Sequence, residues 1–112
     1  MSTGVVDFTT PPVPELTISV ERGLPWVRVA FREVDGSPTA WSEPPHILWV
    51  TPTGPVTWAA TITPGVPHRA EWAVTGAQVD ALLAACPLRA ELYLADVLLA
   101  ASRRRDWLRV DG

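Results

Sequence analysis

The side chains in this sequence that could carry chemistry are few: one thiol at Cys86, two imidazoles at His46 and His68, and three adjacent guanidiniums at Arg103, Arg104 and Arg105. Cys86 falls at the C-terminal end of a predicted helix, where the helix dipole disfavours a thiolate, and no His follows it at the spacing of a nucleophile and its base. It reads as a packed core thiol. His46 opens a predicted strand and His68 falls in a predicted turn, with no second Cys and no paired carboxylates to complete a metal shell. A glycine-rich phosphate loop, a nucleophile elbow and a Ser/His/Asp arrangement are all missing from the sequence. The residue types therefore predict no enzyme, no metal site and no cofactor.

The arginine run has two readings. Three neighbouring guanidiniums can grip phosphates or a partner's carboxylates bidentately, or like charges at a strand end can resist edge-to-edge aggregation. Trp107, two residues beyond Arg105, tilts the reading toward a partner contact, because Arg and Trp are enriched where interfaces concentrate their binding energy. Trp41, in a Pro-rich loop, is either a plug over the end of the fold or an exposed anchor. Phe8 is the apolar anchor of an N-terminal arm. The expected partner-contact set is Phe8, Trp41, Arg103, Arg104, Arg105 and Trp107.

These residues are positioned by elements that the alternation of side chains makes legible. Residues 1–14 hold three prolines and no periodicity, so they form an extended or disordered arm, and residues 15–112 form one domain. Leu16–Glu21 alternates apolar and polar side chains, and Pro25–Glu33 does so again, with Val27, Val29 and Phe31 expected inward against Arg28, Ala30 and Arg32. Asp35-Gly36 marks a turn, and residues 37–45 are expected to be a loop. His46–Thr51 resumes a strand and turns at Pro52–Pro55. The central stretch Val56–Thr75 reads as a hairpin in which Trp58 and Trp72 enter one core from paired strands. Thr75 and Gln78 form a capping box for a helix over residues 76–86, stopped by Pro87. Arg89–Leu94, the VLLAAS run and Trp107–Val110 complete seven or eight strands, which predicts an all-β antiparallel sandwich with one short helix.

Composition narrows the function class. At 112 residues the chain is one domain able to bury a core unaided. A net charge of -3 makes nucleic-acid binding unexpected, and every cation among the side chains is Arg. A single Cys excludes an internal disulfide, the first residues lack the blocks of a signal peptide, and no apolar run is long enough to cross a membrane. The chain is expected to stay in, or assemble in, the cytoplasm. Six Trp residues exceed what a domain of this size needs for packing alone, so some are expected at a contact surface.

In this order of parts the chain resembles the small β-sandwich virion structural proteins of actinobacterial phages, the LtfC-like β-sandwich family. The resemblance is carried by L-x-I-x-x-x-x-G at Leu16–Gly23, by Trp26 with its strand ending in Asp35-Gly36, and by the central strand Val56–Ile62. It continues through the Trp72 strand with its following helix to the closing RAELYLADVLLA stretch and the final RVDG. It implies a virion component, a minor capsid or capsid-decoration protein first and a head-tail or minor tail component second. Such a protein is assembled in the host cytoplasm and contacts the major capsid protein, other virion proteins or further copies of itself. The resemblance brings no catalytic residues, and neither the arginine run nor the arm has a counterpart in it. A soluble module that binds a small ligand or a host protein is the reading from a different class.

Overall fold

The computed structural model describes residues 14–112. The elements are β1 (Ile18–Glu21), β2 (Trp26–Phe31), β3 (Glu33–Val34), β4 (Ser37–Pro38), β5 (His46–Thr51), β6 (Gly54–Ala59), β7 (Thr61–Thr63), β8 (Val66–Val74), α1 (Gly76–Ala84), β9 (Arg89–Leu94), β10 (Val97–Ala101) and β11 (Leu108–Asp111). A four-stranded sheet, β10-β9-β5-β6, faces a three-stranded sheet, β2-β8-β7, across the core, with β1-β11 and the small ribbon β3-β4 beside them. The fold is an all-β sandwich with one short helix, as the alternation predicts.

Tryptophan holds the two sheets together. The ring centroids of Trp72 and Trp26 stand 6.2 Å apart, Trp26 and Trp58 5.5 Å, Trp58 and Trp49 4.9 Å, and Trp49 and Trp107 6.0 Å. The series runs from β8 and β2 in one sheet to β6 and β5 in the other, in the tilted and edge-on geometries that aromatic quadrupoles favour. Trp72 buries its indole N–H as well, and Nε1 donates to the Trp58 carbonyl at 2.9 Å.

This contact corrects the expected central hairpin. Trp58 and Trp72 do enter one core, but from opposite sheets. β6 pairs with β5, and after Ala60 the chain passes to the other sheet, where β7 pairs with β8 through Ile62 and Ala70. Ala60 sits at the crossing with its N–H on the Pro45 carbonyl at 2.9 Å. Only the second half of the stretch, Thr61–Val74, is a hairpin.

Three further expectations are revised. In β2, Trp26 and not the Val27, Val29, Phe31 set turns inward, leaving Val27 and Phe31 each 60% exposed. The apolar residues alternate in both phases there, and the larger ring takes the core. The terminal pair β1-β11 runs parallel, with Ile18 opposite Leu108 and Val20 opposite Val110, so the sandwich is not wholly antiparallel. Residues 37–45 contain β4, whose pairing with β3 is closed by Asp35 and Gly36 at φ 53° and 80°, the left-handed pair that a two-residue hairpin turn requires.

Helix α1 forms where its cap demands. The Thr75 hydroxyl accepts from the Gln78 N–H at 3.1 Å, and Gln78 Oε1 accepts from the Thr75 N–H at 3.0 Å, while Val79 and Leu82 pack into the core. The helix ends two residues earlier than expected, because Cys86 takes a left-handed φ of 57° ahead of Pro87. Its first turn lies against the β1-β2 connection, where the Gly23 N–H donates to Asp80 Oδ1 at 2.8 Å. A Cβ at Gly76 would overlap the Gly23 carbonyl.

Two stability outcomes follow from this packing. Trp72→Phe leaves the Trp58 carbonyl without its donor and should cost about 1–3 kcal/mol, whereas Trp72→Ala should cost about 3–5 kcal/mol, both read from urea denaturation. A loss below about 1 kcal/mol for both would show that the indole does not join the sheets. Gly76→Ala should lower the melting temperature by at least about 4 °C, the equivalent of roughly 1 kcal/mol in a domain of this size. An unchanged melting temperature would mean that the helix shifts off the Gly23 turn without cost.

Candidate contact surface

The residues expected to do chemistry lie apart. Cys86 is exposed beyond the end of α1, a correction to the core thiol expected from its place in the helical stripe. The early stop of the helix swings it out of that stripe. His46 stacks on Tyr93 with centroids 5.6 Å apart, and His68 lies beside Phe31 at 5.8 Å. The Tyr93 hydroxyl donates to Glu91 Oε1 at 3.2 Å, and loss of solvation followed by the Glu91 charge pushes its pKa above the usual phenol value. Among the described residues, no three His, Cys, Asp or Glu side chains gather as metal ligands.

The expected contact set divides. Phe8 lies outside the described residues. Trp41 is buried and is the plug of its two readings: its backbone N–H donates to the Pro67 carbonyl at 2.8 Å, and the Arg32 guanidinium lies 5.9 Å over its ring. Trp107 is half-buried against Trp49 and belongs to the edge of the core. Arg103 is committed within the chain. The Glu15 carboxylate accepts from the Arg103 backbone N–H at 2.8 Å, from the Arg104 backbone N–H at 3.1 Å and from Arg103 Nε at 3.3 Å. Arg104 and Arg105 remain exposed. The three guanidiniums therefore do not act as one cluster.

Glu15 joins the beginning of the described chain to the loop before β11. The Arg103 backbone N–H, first among several hydrogen bonds, holds its carboxyl below the usual carboxylate range. This contact had no sequence signal, since Glu15 and Arg103 are distant along the chain and neither sits in a motif.

The apolar surface also went unpredicted. Val27, Val29 and Phe31 share the outer face of β2, an edge strand, and Leu24 and Val34 extend the exposed apolar residues at either end. The available signal was Trp26, whose size decides which phase of β2 is buried. Around β2 lie three clefts. One of about 340 Å³ is bounded by Glu21, Leu24 and Trp26, one of about 210 Å³ by Leu16, Phe31 and Trp72, and one of about 280 Å³ by Val27, Ala73 and Gly76. No described helix is long and apolar enough to cross a membrane.

Comparison with protein-family models, with curated proteins and with solved structures gives no match to the chain.

The Glu15 clamp predicts a pH effect with a definite sign. A carboxyl whose folded pKa is lowered stabilises the fold fully above its ordinary value near 4.5, and that contribution is lost as pH falls toward the lower folded value. Glu15→Gln should flatten the acid-side fall in stability below about pH 4.5 and leave the neutral-to-basic slope unchanged, as measured by urea midpoints across pH. An acid limb identical to that of the native chain would remove the clamp from the stability of the fold.

Proposed function

We propose that this chain is a structural subunit of a phage particle, a minor capsid or capsid-decoration protein that works by repeated protein-protein contacts. The observation that carries the reading is the apolar outer face of β2 at a sheet edge, with Val27 and Phe31 each 60% exposed. Edge strands with unpaired backbone groups are ordinarily protected by charge or cover, and large apolar side chains on one favour burial against a partner. The resemblance in motif order to actinobacterial phage sandwich proteins points the same way. The partners are then the major capsid protein or neighbouring virion proteins, with a head-tail or minor tail position as the second placement.

A domain of this size offers about 800 Å² to one neighbour, which gives modest affinity per contact, and a lattice of equivalent sites compensates through avidity. Arg104 and Arg105 remain candidates for meeting acidic neighbours, without Arg103.

Mass spectrometry of gradient-purified particles should find the chain in many copies per particle. Arg104→Glu with Arg105→Glu should reduce that copy number several-fold while the melting temperature holds. A chain confined to the host lysate and absent from particles would overturn the proposal, and undiminished occupancy of the double variant would move the contact to β2 alone.

A further inference from the structure

Strands β1 and β2 follow one another through the Gly23 turn yet do not pair. Their hydrogen-bonding directions show what lies between them. Leu16, Ile18 and Arg22 donate their N–H groups to Ala101, Trp107 and Asp111, so the even-numbered backbone groups of β1 face β10 and β11. Thr17, Ser19 and Glu21 face the other way, toward β2. On β2, the Arg32 N–H donates to the His68 carbonyl in register with β8, so Val27, Val29 and Phe31 turn their backbone groups toward β1. Among the described residues, these two strand edges confront each other with no strand between them.

Little crosses the gap among the described residues. The Leu24 N–H meets the Glu21 carbonyl at the turn, and the Arg28 guanidinium reaches the Thr17 carbonyl at 3.3 Å. A full arginine side chain is needed to bridge the two backbones, which suits two strands standing about twice the usual ~4.8 Å interstrand spacing apart. The 340 Å³ cleft occupies the turn end of this slot and the 210 Å³ cleft its open end, where Trp72 and Ile47 form the floor. The slot has the form of a sheet lacking one strand.

We infer that this slot accepts the N-terminal segment Val5–Thr10 of a second copy of the chain. That segment, VVDFTT, has no Gly or Pro, is rich in β-branched and aromatic residues, and matches the six residues of β2. Its alternation sends Val6 and Phe8 to one face, toward the apolar floor, and Asp7 to the other. The Arg28 guanidinium, in the same inward phase of β2 as Trp26, gives up the Thr17 carbonyl as the segment enters.

The donor comes from another copy because of how the chain leaves the domain. The Pro14 carbonyl accepts the Ala101 N–H at 3.1 Å, and Glu15 pairs in parallel with Ala101, so the chain departs in line with β1. Returning into its own slot would require a tight reversal through Pro11, Pro12, Val13 and Pro14, where the prolines and the residues preceding them are biased toward extended backbone. An inserted segment from a neighbour completes the order β11-β1-donor-β2-β8-β7 and is heterologous, so it propagates from copy to copy. This inference deepens the assembly reading and rests on it only in requiring repeated contacts. A chain that self-associates but is absent from particles sustains the slot and overturns the virion role.

The test is a complementation. Val29→Pro removes an N–H that faces the slot and none that bonds β8, so it blocks the acceptor; Phe8→Asp disables the donor. By size-exclusion chromatography with light scattering, the full chain should show a mass that rises with concentration, each variant should be monomeric, and a mixture of the two should yield 1:1 dimers. Circular dichroism and urea midpoints check folding, with Ser19→Pro as a second acceptor block should Val29→Pro not fold. A mixture that stays monomeric overturns the inference, and so does native-like association by either variant alone. A monomeric native chain whose slot amides are protected from hydrogen exchange until Phe8 is changed assigns the slot to the chain's own segment. A monomer with unprotected slot amides leaves Arg28 as a simple plug, and either result overturns the exchange between copies.

Discussion

The hydrogen bond from the Trp72 indole to the Trp58 carbonyl, 2.9 Å long and buried, is the constraint on which the rest of the sandwich depends. An indole N–H in an apolar core costs stability unless it is paired, and here its partner belongs to the opposing sheet. The bond fixes the separation of β6 and β8 and, through the ring contacts, the seats of Trp26 and Trp49. With the two sheets set at this distance, Ala60 can carry the chain from one to the other in a single residue, and α1 can close over Val79 and Leu82. Small residues sit beside the indoles that fill the core: Ala60 at the crossing, Ala70 opposite Ile62 and Ala90 opposite Trp49 are all buried.

Local rules were legible in the sequence wherever one residue's chemistry decided the outcome. Thr75 and Gln78 specified the helix start, Asp35-Gly36 the left-handed turn, and the alternation in Leu16–Glu21 its buried face, while His46–Thr51, apolar at four consecutive positions, was legible as a strand without a face. What stayed hidden was non-local. In β2 both phases carry apolar side chains, so periodicity identified a strand but not its inward face; comparing the volume of Trp26 with that of Val27 would have done so. Whether Trp58 and Trp72 lie side by side or opposite depends on a sheet switch at Ala60, an alanine that carries no turn signal. The parallel register of β1 and β11 joins residues nearly a whole chain apart, and no local pattern encodes it.

The candidate surface was legible in part. Arg104 and Arg105 lie exposed as their charge predicts. Arg103 is exposed as well but is tied to the chain, because the Glu15 carboxylate accepts from two backbone N–H groups as well as from the guanidinium. Trp107 and Trp41 were read by type, whereas their positions follow from what the core lacked: one caps Trp49 and the other shuts the end of the sandwich beneath Arg32.

The parallel pairing of β1 with β11 bears on how the chain is made. Synthesis runs from the N-terminus, so Ile18 and Val20 emerge long before Leu108 and Val110, the residues opposite them. Until residue 111 is free of the ribosome, β1 lacks its ladder partner. Loop closure over almost the whole chain is the slowest kind of contact to form. The nascent protein thus carries an unsatisfied apolar strand for most of its translation, the interval in which chaperones and neighbouring nascent chains compete for such a strand.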